Sequence, residues 1–211
     1  DLSRFRPDAP STVRARLGIP EDAPLVISIR SFTQPYYNID VIVGIIPEVL
    51  KRHPETRFIF AGNEGDDAAF RRMASGLGAG DRIHFVGKIP HGELHEYLVT
   101  SDVFVSVPSV DATAVSLLEA MACGTPVVVS NLASALEWVE DGESGLAVPP
   151  RDAGALTEAV VRLIESPGLR ASMGERAAGI VSARADHEMH MNRMHELCED
   201  LVASWRARRG R

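Results

Sequence analysis

Cysteine is scarce in this chain, and its placement excludes a disulfide framework. The 211 residues include two cysteines, Cys123 and Cys198, and no CxxC pair. Small disulfide-rich domains and thiolate zinc sites need more cysteines at closer spacing. Both cysteines stand in apolar, helix-like stretches, so we expect two buried thiols in a reducing compartment.

Long apolar runs and an excess of basic residues are also missing. No run approaches the roughly 18 apolar residues that a membrane-spanning helix needs, and the charged opening DLSRFRPD lacks a signal-peptide pattern. The formal net charge of −7 argues against a surface devoted to nucleic acid or anionic lipid. We therefore expect a cytoplasmic protein with no nucleic-acid partner. One basic cluster is interpreted as the solvated end of a helix, with a membrane or partner contact as the alternative: Arg206, Arg208, Arg209 and Arg211.

Motifs for phosphoryl transfer, dinucleotide binding and metal binding are absent. Without GxxxxGK[ST], and without GxGxxG after the first apolar run, a P-loop enzyme and a dinucleotide dehydrogenase are disfavoured. Three histidines, His187, His190 and His195, have helical spacing but no fourth ligand nearby, so a solvated helix face is favoured over a metal site. The adjacent Asp66 and Asp67 are interpreted as helix caps.

What the chain has is a regular alternation of short apolar runs and helix-like stretches. The apolar runs are mostly unbroken, which is typical of parallel strands buried on both faces. This order predicts an α/β fold, a doubly wound Rossmann-like parallel sheet of about six strands with C-terminal helices. The predicted strands are 25–30, 57–61, 82–85, 102–106, 126–130 and 145–148. The predicted helices lie near 39–52, 66–77, 92–100, 114–123 and 133–140, with further helical spacing over 156–164 and 191–205.

The stretch VDATAVSLLEAMACGTPVVVS follows the carboxyl end of a predicted strand, where doubly wound sheets bind ligands. It carries Asp111 and Glu119 among small and apolar residues. A helix predicted to begin near Thr113 or Ala114 offers first-turn amides without partners, which suit a phosphate group. The two carboxylates suit sugar hydroxyls, from which they accept hydrogen bonds. The pattern predicts a diphosphate flanked by sugars; the alternative is that Asp111 caps the helix and Glu119 pairs with an arginine.

The same stretch resembles the E-x7-E segment of retaining glycosyltransferases of family 4 (group 1), followed by their EAMACGTPVV-type run. The resemblance covers about residues 1–200 and includes, in order, DLSRFRPD, LGIPEDAPLVISIR, FIFAGNEGDD, RIHFVGKIPHGELHEYLVTSDVFVSVPS and GESGLAVPPRDAGALTEAV. It implies a GT-B enzyme, in which two Rossmann-like domains face each other across a cleft. This chain matches the C-terminal, nucleotide-sugar-binding half. The resemblance assigns residues 1–183 to that domain and 184–211 to a helix and basic tail that pack on the missing N-terminal acceptor domain.

The resemblance also implies roles for individual residues. Glu119 matches the glutamate that holds the ribose hydroxyls, and Asp111 stands, one methylene shorter, where a glutamate contacts the transferred sugar. Arg30 matches the arginine that meets the diphosphate, but the lysine that usually follows is missing, and Tyr37 or Asn38 stands in its place. Asp111, Glu119 and Arg30 are thus the candidate catalytic residues. The implied nucleotide-binding positions are Gly62, Lys88, Ile89, Ala114, Val115, Ser116 and Tyr37, with structural packing as the alternative for Tyr37.

The function that the resemblance implies is transfer of a sugar from a UDP-, GDP- or ADP-linked donor to an acceptor hydroxyl, with retention at the anomeric carbon. No metal or other cofactor is expected, and polysaccharide or glycolipid synthesis is the usual setting. His91, beside the base-binding loop, is placed to touch the base. We expect this chain to be inactive alone, to associate non-specifically or dimerise through its last helix, and to come from an enzyme weakly attached to the inner face of the membrane. The alternatives are a non-catalytic nucleotide-sugar-binding module, a GT-B epimerase and an assembly module that binds no nucleotide.

Overall fold

A parallel sheet forms the centre of the computed structural model, which describes residues 1–62 and 67–209. Its strands lie in the order β3-β2-β1-β4-β5-β6, and each neighbouring pair is parallel. The strands are β1 (Leu25–Ile29), β2 (Arg57–Ala61), β3 (Ile83–Gly87), β4 (Val103–Ser106), β5 (Val127–Ser130) and β6 (Leu146–Val148). The predicted fold class is confirmed, because each predicted strand is present with its ends shifted by no more than two residues. Asp66 and Arg211, both named above, lie outside the described residues.

Helices cover both faces of this sheet. The described α-helices are α1 (Val13–Leu17), α2 (Ile39–Gly44), α3 (Ile46–Arg52), α4 (Ala68–Ser75), α5 (Leu94–Val99), α6 (Val115–Ala122), α7 (Ala133–Leu136), α8 (Ala153–Glu165), α9 (Pro167–Arg184) and α10 (His187–Arg209). Short 3₁₀ turns occur at Pro35–Tyr37 and Gly80–Arg82. Within the described ranges, no helix has both the length and the apolar character that crossing a bilayer requires.

Two apolar cores, one on each face, hold the helices to the sheet. Side chains alternate along each strand, so neighbouring strand residues enter different cores. On one face, Val26, Phe58 and Val105 pack with residues of α2, α3 and α8. On the other, Ile27 and Phe104 pack with residues of α5, α6 and α9. Burial on both faces explains why the strand sequences are almost continuously apolar.

Two predicted helices have different boundaries in the structure. The predicted helix 39–52 is divided at Ile45 into α2 and α3, because Pro47 has no N–H to continue the helical ladder. The helix predicted from residue 184 begins at His187 instead, and Arg184 ends α9. The carboxylate of Asp186 accepts a hydrogen bond from the backbone N–H of Glu188 at 2.9 Å, which favours a new helix start there.

Two side-chain predictions are wrong as well. Cys123 is buried as predicted, but Cys198 is exposed, because α10 carries its apolar side chains into solvent in the described part of the chain. Asp67 precedes α4 without capping it, since its carboxylate pairs with Arg71 Nε at 2.7 Å. The exposed apolar residues of α10 are Met189, Met191, Met194, Leu197, Leu201, Val202 and Trp205. Arg206, Arg208 and Arg209 lie in its last turn, where cations complement the helix dipole.

Candidate functional site

The direction of strand succession reverses between the adjacent strands β1 and β4, which creates a switch point at the carboxyl edge of the sheet. Residues 30–38 follow β1 and residues 107–114 follow β4. The backbone N–H of Ser109 donates to the carbonyl of Tyr36 at 2.8 Å and joins the two loops. The topology therefore brings Arg30 and Asp111, which are distant in sequence, to one place.

Arg30 occupies this switch point with most of its guanidinium already engaged. Its Nε and Nη2 donate to Ser106 Oγ at 3.0 and 2.6 Å, and Nη2 pairs with Asp111 Oδ2 at 2.7 Å. The guanidinium carbon lies 4.9 Å from the centre of the Tyr37 ring, a distance typical of a cation–π contact. The Arg30 and Asp111 side chains are 10% and 18% exposed. The ion pair is thus largely removed from solvent, and Tyr37 packs on the predicted phosphate ligand.

The alternative interpretation of Asp111 as a helix cap is not what the structure shows. Ala114 is the N-cap residue of α6, and no side chain caps this helix. The carbonyl of Asp111 accepts a hydrogen bond from Ser134 Oγ at 2.9 Å, which ties the loop to α7. Asp111 is therefore held by its backbone while its carboxylate is directed at Arg30.

A cavity of about 300 Å³ opens beside Arg30 and is lined by four of the seven residues predicted to contact the nucleotide. Tyr37, Gly62, Lys88 and Ile89 line it together with Arg30. A Cβ atom on Gly62 would lie 2.5 Å from the carbonyl oxygen of Arg30 and would overlap a neighbouring aromatic ring. Glycine is required there because the chain passes so close to the Arg30 backbone. The remainder of the predicted glycine loop, 63–66, lies outside the described residues.

Glu119 faces a neighbouring cavity of about 370 Å³ and is paired with a histidine rather than an arginine. His91 Nε2 lies 2.8 Å from Glu119 Oε1, and their side chains are 65% and 12% exposed. The His91 ring also lies 5.4 Å from the Phe5 ring, measured between centroids. His91 follows the predicted base loop, so it connects that loop to the predicted ribose ligand.

The start of α6 presents backbone amides to the same region. Val115 is the first residue of this helix and is exposed, and the helix N-cap Ala114 is in an extended conformation. The first amides of a helix, here those of Val115 and Ser116, have no carbonyl partner within it. They can therefore donate to an anion, and Ala114 lines a small pocket together with Arg30 and Asp111.

Tyr36 and Tyr37 make an edge-to-face contact beside this site, with ring centroids 4.7 Å apart and an angle of 64° between the ring planes. The pKa of Tyr36 is raised by desolvation first, then by Tyr37 and by the charge of Asp111. A tyrosine hydroxyl is neutral at physiological pH even without this shift, so Tyr36 offers the site a neutral hydrogen-bond donor.

Comparison with known proteins decides the family. Residues 11–179 match the family described as Glycosyl transferases group 1. The chain belongs to this family. A GDP-mannose-dependent alpha-(1-6)-phosphatidylinositol monomannoside mannosyltransferase of Mycolicibacterium smegmatis is 34% identical over 184 aligned positions, and the match covers 82% of this chain and 47% of the relative. The chain spans about half the length of the curated relatives it matches.

Solved structures support the GT-B architecture of this group 1 domain. Sucrose-phosphate synthase from Thermosynechococcus elongatus is 30% identical, with a TM-score of 0.84 over 97% of this chain and 51% of that chain. Anabaena Alr3699/HepE, solved in complex with UDP-glucose, is 20% identical, with a TM-score of 0.83 over 95% and 55%. The six-stranded sheet and its C-terminal helices thus correspond to one half of a GT-B fold.

Two residues of this group 1 domain hold the site together and were given no such role from the sequence, although Asn38 was named there at the position of the missing lysine. Asn38 is buried and adopts the left-handed region, with φ of 55°. Its Nδ2 donates to the carbonyl of Val107 and to Ser109 Oγ at 2.8 and 2.9 Å, and its Oδ1 accepts from Arg151. Ser106, the second, holds Arg30. The available signals were the tolerance of asparagine for left-handed backbone and the position of Ser106 at the end of the strand beside Arg30.

The three C-terminal histidines do not converge on one point. His190 Nε2 contacts the carbonyl of Arg184 at 2.9 Å, and His195 pairs with Glu199 at 3.4 Å. In the part of the chain that the structure describes, no three metal-ligating side chains cluster.

Proposed function

We propose that this chain is the donor-binding half of a retaining glycosyltransferase of family 4, which transfers a hexose from a nucleoside diphosphate sugar to an acceptor hydroxyl without a metal ion. The observation that carries the proposal is the cavity shared by Arg30, Gly62, Lys88 and Ile89 at the strand switch point. Membership of the group 1 family supports the transfer reaction. The GDP-mannose-dependent relative and the UDP-glucose complex of HepE support a nucleotide-linked sugar as the donor.

In this proposal the donor is held at successive points along its length. The base lies against the loop at Lys88 and Ile89, and the ribose hydroxyls donate to Glu119. The diphosphate lies between Arg30 and the first amides of α6. Asp111, in the loop 107–114 that leads into α6, faces the transferred sugar. The carboxylates serve as acceptors for hydroxyls, whereas the cation and the amides serve the anion.

The chemistry proposed for this half is stabilisation of the leaving group. When the bond between the sugar and the diphosphate breaks, negative charge develops on the phosphate oxygens. Arg30 and the α6 amides are fixed by the fold before reaction, so they stabilise that charge without reorganising. Asp111 holds the sugar and Glu119 holds the ribose, so that the bound donor is fixed in the orientation that the reaction requires.

The acceptor site is proposed to lie in the half of the relatives that this chain does not match. The apolar side chains that α10 exposes, from Met189 to Trp205, are proposed to be covered by that half or by a second copy. We therefore expect this chain to bind donor without turnover. The proposed setting is a cytoplasmic enzyme of glycolipid or polysaccharide synthesis that is weakly attached to the membrane. The relative that is a phosphatidylinositol monomannoside mannosyltransferase supports the glycolipid part of this proposal.

Calorimetric titration of this chain with UDP, GDP and ADP tests the proposal. We expect one nucleotide to be preferred and Glu119→Ala to weaken its binding about tenfold, because a hydrogen bond to a charged group is lost. Glu158→Ala is the matched control, since it removes the same type of side chain from α8, where Glu158 forms an exposed pair with Arg52 of α3. Binding of none of the three at millimolar concentration, or equal effects of both substitutions, would contradict the proposal.

A further inference from the structure

The guanidinium of Arg30 is already bonded before any donor arrives. Its Nε and Nη2 donate hydrogen bonds to Ser106, and Nη2 also forms the ion pair with Asp111. The Tyr37 ring lies against the planar face of the guanidinium. Among the described residues, only Nη1 of this guanidinium lacks a hydrogen-bonding or ion-pairing partner. A phosphate that approaches Arg30 therefore meets a cation whose charge is largely balanced.

The balancing charge lies within the reach of the incoming anion. Asp111 Oδ2 is 2.7 Å from Nη2, and its side chain is only 18% exposed. Solvent and salt screen such a partly buried carboxylate weakly. A phosphate oxygen bonded to Nη1 is consequently repelled by Asp111 while it is attracted by Arg30.

We infer that Asp111 is a positioning residue that sets the diphosphate affinity of this site through Arg30, and that it disfavours free nucleoside diphosphate more than nucleotide sugar. The inference rests on the proposed function. A free nucleoside diphosphate ends in a phosphate that carries an additional charge near neutral pH, as phosphate monoesters do. In a nucleotide sugar that oxygen is bonded to the sugar, so the repulsion from Asp111 is smaller.

This selectivity has a direct consequence for turnover. The nucleoside diphosphate is the product that leaves the site, whereas the nucleotide sugar is the substrate that must bind. A carboxylate that repels the product more than the substrate favours exchange of one for the other. Asp111 thus assists release of the product, in addition to facing the sugar.

The charge of Asp111 can be removed without displacing Arg30. Arg30 retains Ser106 and Tyr37 as partners when the charge of Asp111 is lost, so Asp111→Asn leaves the guanidinium in place. Asp8→Asn is the matched control, because it changes the net charge equally in an exposed pair with Arg6. Arg30→Met removes the cation through which Asp111 is inferred to act.

The experiment is calorimetry with the preferred nucleoside diphosphate and its sugar conjugate, for the unsubstituted chain, Asp111→Asn, Asp8→Asn, Arg30→Met and the Asp111→Asn/Arg30→Met double variant. We expect Asp111→Asn to tighten nucleoside diphosphate binding about tenfold, as removal of one nearby charge predicts, and to tighten sugar-conjugate binding less. This gain disappears in the Arg30→Met background, because no guanidinium then holds a phosphate oxygen beside Asp111. Asp8→Asn has no effect. Asp111→Ser provides the same charge change if the first variant does not fold.

The outcomes separate the inference from the function on which it rests. If nucleotide binds but Asp111→Asn leaves nucleoside diphosphate affinity unchanged or lower, Asp111 is a simple ligand or scaffold residue and the inference fails. Persistence of the gain in Arg30→Met also overturns it, because the effect would not pass through Arg30. Absence of nucleotide binding in every variant overturns the proposed function itself.

Discussion

His91 Nε2 lies 2.8 Å from Glu119 Oε1 and joins the loop after β3 to the second turn of α6. An ionised carboxylate can only accept hydrogen bonds, so the imidazole nitrogen must be the donor. One carboxylate oxygen is thereby fixed, and the other is left for the hydroxyls of a ribose. The pair thus orients the proposed ribose ligand before the nucleotide binds.

Removal of His91 is expected to loosen this recognition. His91→Ala should weaken nucleoside diphosphate binding about two- to fivefold, the range that corresponds to an exposed pair. It should also reduce the difference in affinity between the nucleotide and its 2′,3′-dideoxy analogue, because Glu119 is no longer held toward the hydroxyls. His91→Gln keeps a hydrogen-bond donor, so its nucleoside diphosphate affinity is expected to lie between those of the unsubstituted chain and His91→Ala. An unchanged affinity ratio between the two nucleotides in His91→Ala would show that the pair has no part in ribose recognition.

Asn38 is expected to stabilise the site loops through both its backbone and its side chain. Asn38→Ala should lower the free energy of unfolding by about 2–4 kcal/mol, because buried hydrogen bonds are lost and alanine is strained at φ of 55°. Asn38→Gly should cost about 1 kcal/mol less, since glycine adopts this conformation freely. Urea unfolding of the three proteins measures both differences. Equal costs for the two variants would mean that backbone strain contributes nothing at this position.

The strands of this fold could be predicted well because burial on both faces leaves an unbroken apolar run. The break at Ile45 in the predicted helix 39–52 was missed, although Pro47 lacks the N–H that a helix interior needs. The partners of the site residues were not readable. His91 meets Glu119 only because α5 and α6 pack on the same face of the sheet, and Asp111 meets Arg30 only because β1 and β4 are adjacent. Such pairings depend on tertiary approach, which local spacing does not encode.

The close contact between α9 and the turn after α6 predicts a large cost for a single methyl group. A Cβ on Gly174 would overlap the backbone carbonyl of Gly124. Gly174→Ala should therefore lower the free energy of unfolding by about 3 kcal/mol or more, since backbone must move. Gly179 is the matched control in the same helix, because a Cβ there meets nothing within 4 Å. Gly179→Ala should stabilise the protein by about 0.5–1 kcal/mol, and thermal denaturation distinguishes the two. A mild effect at Gly174 would argue against the tight approach.

The two thiols are expected to differ in reactivity. Burial, and secondarily the charge of Glu119, raises the pKa of the Cys123 thiol to about 12, whereas Cys198 is exposed. At pH 8 an aromatic disulfide reagent should titrate one thiol in the native chain and two after unfolding, because the thiolate is the reacting species. Cys198→Ser should abolish the native reaction. Rapid modification of two thiols in the native chain would show that α6 opens readily.

His84 on β3 predicts a loss of stability in mild acid. Burial first, and then the positive charge of Arg57, lowers the pKa of this histidine, with Asp81 acting in the opposite direction. Its Nε2 is buried without a partner among the described residues. Below pH of about 6.5 the unfolded chain takes up a proton that the native chain resists, so stability falls as the pH decreases through that value. Above it, both states carry a neutral imidazole, and His84 adds no pH dependence.

The substitution His84→Leu removes this titration, so the variant should lose less free energy of unfolding than the unsubstituted chain between pH 7.5 and 5.5. Urea unfolding at pH 8.5 and 7.5 is the control, since the difference in free energy of unfolding between the two proteins should stay constant there. If both proteins lost the same free energy of unfolding down to pH 5.5, native His84 would protonate as easily as in the unfolded chain.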